Sequence, residues 1–181
     1  MLVVLDGTAS SQSKRNSSPY SFVGSRNCRK CHLKVYKSWE KTTMASAYDV
    51  LKPGQRVDVK KKAGLDPKKD YTDDKSCLPC HTTGYGQTGG FVSAEKTPDL
   101  TGVGCEMCHG AGGEYTKEEH MSLKNKMYKL RDLVKVGLIN PPTAGMCTES
   151  CHNRKSPFFQ KFDFATRKKE GTHSHEPLKY K

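Results

Sequence analysis

Apolar side chains recur between Leu33 and Leu51 at Val35, Trp39, Met44, Ala47, Val50 and Leu51. The spacing is close to 3.6 residues and predicts a helix that Lys52-Pro53-Gly54 ends. A second short helix is predicted over Val57–Ala63, before a turn opened by Asp66-Pro67. A third is predicted to start at Thr116 with Glu119 as a capping box. His120, Met127, Leu130 and Val134 then repeat along it, and Gly137 ends it. Pro141-Pro142 break the chain after that, and Phe158, Phe159, Phe162 and Phe164 cluster before a Lys-rich tail.

The rest of the pattern is polar and irregular. Residues 1–21 are rich in Ser, Lys and Asn and read as a flexible arm, which leaves 22–181 as a single domain. Residues 71–104 read as loop, with four glycines between Thr82 and Phe91. Such a run suits either a backbone passing close to a flat ligand or an ordinary glycine turn. No stretch is long enough to span a membrane, and Leu2-Val3-Val4-Leu5 is too short for a signal-peptide core.

Composition sharpens the problem. Only 34% of the 181 residues are hydrophobic, there is one Trp, and mean hydropathy is −0.78. That is a poor core for a chain of this length. The net charge is +12 and the pI about 9.3, which raises nucleic acid or an anionic surface as partners. No nucleic-acid motif is present, and the lysines are scattered apart from Lys60-Lys61-Lys62 and Arg167-Lys168-Lys169.

The cysteines resolve it. All eight fall into four pairs, each followed at once by histidine. Cys28 and Cys31 precede His32; Cys77 and Cys80 precede His81; Cys105 and Cys108 precede His109. Cys147 and Cys151 precede His152, with one extra residue between the thiols. Cys-x-x-Cys-His is the attachment signature of c-type haem: two thiols reach the two vinyl groups of one porphyrin and the next residue turns its imidazole onto the iron. Paired cysteines also build zinc sites, and an even count suits disulfides, but neither explains four histidines at the same place. The predicted fold is therefore mainly α with long loops, a small multihaem cytochrome c wrapped around four covalently bound haems. The porphyrins replace much of the missing core. Their propionates offset roughly eight of the positive charges, and a residual basic face would steer docking to an acidic redox partner.

Four histidines are proximal ligands by motif, and His120, His173 and His175 remain for the distal sides. His173 and His175 are two apart and serve one iron between them, so some iron uses another ligand or stays open. Met44, Met121, Met127 and Met146 are the other candidates, although a methionine in an apolar helix is more often core filling.

Beyond the motifs, Gly64-Leu65-Asp66-Pro67-Lys68-Lys69-Asp70-Tyr71-Thr72, Gly84-Tyr85-Gly86-Gln87, Leu100-Thr101-Gly102-Val103-Gly104 and His173-Ser174-His175 carry a family pattern. The chain resembles the tetrahaem cytochrome c-554 family over most of residues 24–176, least between 121 and 146. The resemblance implies a mostly helical fold with haems in closely stacked pairs. It implies that His120 is the distal ligand of the first haem, that the second haem, on His81, is open, and that His173 is the distal ligand of the fourth with His175 as its neighbour. Met44 stands where the family places the histidine that ligates the third haem, and is expected to ligate in its stead. The family's role is to take electrons from hydroxylamine oxidoreductase and pass them toward membrane-side acceptors, outside the cytoplasm.

Electron carriage between redox proteins, in the periplasm or otherwise outside the cytoplasm, is the leading expectation. Two rivals follow from the same residues: redox chemistry on a small nitrogen oxide at the open haem, and assembly into a conductive filament. No histidine precedes His32 to be donated to a neighbouring subunit, which counts against ligand exchange in a filament.

Overall fold

The computed structural model describes residues 18–124 and 127–175. The predicted arm lies outside the described residues up to position 17, as does the Lys-rich tail beyond 175. Eight short helices and two 3-10 turns make up the regular structure of the described residues. In chain order the helices are α1 (Ser25–Arg29), α2 (Leu33–Trp39), α3 (Val57–Lys62), α4 (Leu78–His81), α5 (Glu106–His109), α6 (Leu130–Lys135), α7 (Ala144–Thr148) and α8 (Phe164–Glu170). The 3-10 turns are Asp49–Leu51 and Pro98–Leu100. No strand forms among the described residues, and Thr82 and Thr101 make an isolated antiparallel bridge. Nor is any helix there long and apolar enough to cross a membrane.

The mainly helical class is as expected, and α3 falls where the pattern put it. The helix over Leu33–Leu51 is shorter than predicted and stops at Trp39. Thr42 sends both its backbone N–H and its hydroxyl to Trp39 O, at 2.8 and 2.7 Å, so the side chain competes with the helical ladder. The segment beyond is recruited by a distant loop. Met44 O accepts from Val103 N at 2.9 Å, and Trp39 Nε1 donates to Val103 O at 3.0 Å. Gly102 (φ 76°) permits this contact, since a Cβ there would lie 2.5 Å from Ala45 O.

The long helix from Thr116 also fails to form. Thr116 donates its hydroxyl to Gly112 O at 2.7 Å instead of capping. Residues 113–121 run as turns, and among the described residues of this stretch only Leu130–Lys135 is helical, before Leu138 N returns to Leu133 O at 3.0 Å. The glycine-rich run forms turns, and at Gly84 it passes close to another part of the chain. A Cβ at Gly84 (φ 71°) would lie 2.6 Å from the Phe22 ring, so the close approach is to protein.

The side-chain core is small. Tyr48, Leu51, Tyr71, Leu78, Phe91 and Leu100 form one buried cluster, with Cys77 packed against it. Thr82 and Thr83 are fully buried beside it, and the Thr83 hydroxyl both donates to Gly102 O and accepts from Gly104 N, each at 2.9 Å. That pairing fixes the entry to the third Cys-x-x-Cys-His motif. The start of the described chain is held close by: Gly113 N donates to Ser21 O at 2.8 Å, which seats Ser21 in the body.

Candidate functional site

Each motif is one helical turn. His32 N and His109 N donate back to Cys28 O and Cys105 O, both at 2.9 Å, so each turn sets the histidine over its own cysteines. The fourth motif carries an extra residue and closes a wider turn. His152 N still reaches Cys147 O at 2.9 Å, now five residues back, while Cys151 N lies 3.2 Å from the same oxygen. A local widening of the π-type absorbs the insertion.

Two pairs of motifs sit side by side. The Cys28 and Cys105 thiols face each other, bringing the first motif against the third. The Cys105 thiol beside it, followed by burial, pushes the Cys28 thiol up, while Cys28 beside it lowers Cys105. Cys80 Sγ points at Ser150 O at 3.6 Å, joining the second motif to the fourth.

All eight cysteines and the four motif histidines open into one cavity of roughly 1620 Å³. The cysteines form no disulfide. Among the described residues, three or more potential metal-ligand atoms converge only at Glu114, Glu119 and His120, so no set of cysteines closes a zinc tetrahedron.

The histidines are prepared for a metal. His81 Nδ1 lies 2.5 Å from Ala47 O, and His109 Nδ1 lies 3.2 Å from Ile139 O. A carbonyl oxygen only accepts, so Nδ1 carries the proton and Nε2 is left bare, the arrangement common to metal-bound imidazole. Burial lowers the pKa of His32, His81, His109 and His152 alike, which favours the neutral, ligating form.

The distal candidates are placed unevenly. Met44, Met121, Met146, His173 and His175 line the cavity. Met44 is held beside the third motif by its bond to Val103. Ser174 N donates to Ser38 Oγ at 2.7 Å, which brings the tail against α2. The His173 ring consequently stacks 6.1 Å from His109, while His152 is faced by Phe162 at 4.2 Å. His120 does not line the cavity: its Nε2 faces Glu114 Oε1 at 3.4 Å.

Two features were missed by the sequence reading. The cavity wall carries cations, Arg56, Lys60, Lys161 and Arg167 among them, and no described Asp or Glu. Lys60 was legible only as part of a basic run. Glu106, inside the third motif, is 3% exposed and accepts from Val23 N, Gly24 N and Gly112 N at 2.9, 2.8 and 2.7 Å. Gly112 was the available signal, because a residue without a side chain lets its backbone N–H approach the carboxylate: a Cβ there would lie 3.0 Å from Glu106 Oε1.

A large apolar cavity, thiols in pairs that form no disulfide, bare imidazole nitrogens and a cationic wall fit a porphyrin held by thioether bonds. Comparison with known proteins agrees. Residues 27–110 match the family model described as cytochrome c554 and c-prime. A cytochrome c-554 from Nitrosomonas europaea is 44% identical over 121 residues, 64% of this chain and 52% of the relative, so the match spans about half of that protein's length. A solved structure, cytochrome c554 from Nitrosomonas europaea in its reduced state, superposes with a TM-score of 0.71 at 33% identity and covers 88% of both chains. The chain belongs to the cytochrome c554 family and is a c-type cytochrome.

Proposed function

We propose that the protein carries four covalently attached c-type haems and works as an electron carrier between redox proteins outside the cytoplasm. The observation that carries this reading is the single cavity into which every cysteine pair and its histidine open. Haem, when bound, supplies an iron that takes up and gives back one electron at a time. The chain's part is to fix the group, orient the imidazoles through carbonyls such as Ala47 O and exclude water.

His32, His81, His109 and His152 are the proximal ligands in this reading. Met44 serves the third haem, which its place beside the third motif supports. His120 serves the first haem and His173 the fourth. Both rings must turn, His120 away from Glu114 and His173 away from the face of His109. The second haem stays open. The partners are redox proteins, with a hydroxylamine-oxidoreductase-like donor implied by the family resemblance. An acidic contact face on the partner is supported by Lys34 and Lys37 of α2 and Lys41 just beyond its end, which together line a surface hollow of roughly 700 Å³.

Low-temperature electron paramagnetic resonance of the oxidised protein, read with the near-infrared band of methionine-ligated ferric haem, tests the ligand set. One high-spin signal plus a methionine band is expected. Four low-spin haems ligated by nitrogen alone would sink both the open site and the Met44 assignment.

A further inference from the structure

The cationic wall of the cavity contains one buried member. Lys60 is 5% exposed, yet it lines the cavity together with Arg56, one turn earlier at the start of α3. Its Nζ donates to Lys52 O at 2.8 Å and Leu51 O at 3.5 Å, and lies 5.2 Å from the centroid of the Tyr71 ring. All these partners are neutral. Among the described residues no ion pair joins a carboxylate to Lys60 or Arg56. Asp70 feels the charge of Lys60, but its Oδ1 is taken by Thr72, through the backbone N–H at 2.8 Å and the hydroxyl at 2.7 Å. Burying an ammonium against neutral acceptors alone is costly, and an anion at its remaining donor relieves that cost.

The location says which anion. Leu51 and Tyr71, which enclose Lys60, belong to the same buried cluster as Leu78 of the second motif, and Cys77 packs on that cluster. Arg56 is the only described non-glycine residue with positive φ (50°), a backbone state that a side chain of this size rarely adopts, and it places a second cation at the same wall. A porphyrin bound through Cys77 and Cys80 brings two carboxylates into a cavity whose described wall has none.

From this we infer that Lys60, with Arg56 beside it, is the binding site for a carboxylate of the porphyrin attached at Cys77 and Cys80. The inference rests on the haem reading proposed above. Lys60 is a positioning residue: its charge stabilises the reduced, less positive state of that haem, and it fixes how the porphyrin sits above His81.

The test is a spectroelectrochemical titration of the protein with all four haems attached, after the haem count has been taken. Lys60→Met is expected to lower the midpoint potential of one haem and leave the others in place, and Lys60→Arg to restore it. Arg56 is exposed, so Arg56→Gln should fold normally and lower the potential of the same haem by a smaller amount. A purely structural Lys60 would lower the unfolding midpoint of Lys60→Met and leave all four potentials unchanged, which overturns the inference. Formate titrated into the ferric protein separates the two sources of a carboxylate. No saturable spectral change that depends on Lys60 is expected; a change present in the wild type and lost in Lys60→Met would make this a site for free anions and overturn the assignment. Haem missing from Cys77 and Cys80 would instead contradict the underlying haem reading.

Discussion

Glu106 Oε2 accepts the backbone N–H of Gly24 at 2.8 Å, across 82 residues of sequence. The same carboxyl holds Val23 and Gly112, so one side chain inside the third motif ties the start of the folded body to the loop after that motif. Gly24 is the N-cap of α1, which carries Cys28. The first and third motifs, whose thiols face each other, are therefore set against each other by Glu106. Replacing Glu106 by Ala leaves three N–H donors without their acceptor and is expected to cost about 3 kcal/mol or more. Denaturant unfolding of the haem-loaded protein, followed in the Soret band, measures it.

The same residue sets a pH dependence. Burial raises the Glu106 pKa, and the three N–H donors only partly pull it back. A raised carboxyl pKa in the folded state means that the folded form binds the proton more tightly than the unfolded chain. The stability this confers is fully present below the unfolded value and is lost as pH rises through the folded one. As pH rises above about 4, where the unfolded carboxyl ionises, the wild type should lose stability that Glu106→Gln does not lose. Unfolding curves at several pH values check it; parallel pH profiles for the two proteins would contradict it.

Gly102 tests the link between backbone and ligand. Gly102→Ala puts a methyl 2.5 Å from Ala45 O at a positive φ, where Ala is strained in any case. A loss of about 2 kcal/mol is expected. Because Met44 and Ala45 must move to relieve it, the methionine near-infrared band should weaken or shift in parallel. A destabilised protein with an unchanged band would separate Met44 from this contact.

How much of this was legible beforehand follows from where the constraints lie. The haem chemistry is written in local spacing, since thiols and imidazole must reach one porphyrin. Cys105, Cys108 and His109 could therefore be read as a unit without knowing the fold, and so could Cys147, Cys151 and His152 despite the insertion. The mainly helical class followed from the same motifs and the periodic segments. The end of α2 was not legible, because Met44 is taken up by Val103, some 59 positions away. Periodicity over 33–51 cannot report a partner that distant. Glu106 was hidden for the same reason: a charged residue between two cysteines reads as surface until Val23 and Gly24 are brought to it.

The lysines on and just after α2 give a kinetic prediction. Replacing Lys34, Lys37 and Lys41 together by Glu should slow oxidation of the reduced protein by hexacyanoferrate(III) at low salt. The effect should exceed that of reversing Lys75, Lys96 and Lys155, which changes net charge equally, and should fade as salt screens the surface. Equal slowing by the two triple variants, measured by stopped flow, would assign the effect to net charge alone.

The central claim is that each of the four cysteine pairs carries a haem. Intact-protein mass spectrometry after acid denaturation tests it most directly, because thioether bonds survive unfolding while zinc and non-covalent porphyrin do not. The account predicts a mass equal to the chain plus four haems, falling by one haem when Cys147 and Cys151 are both replaced by Ala. A chain mass with fewer than four haems and a free thiol pair at any motif would contradict it.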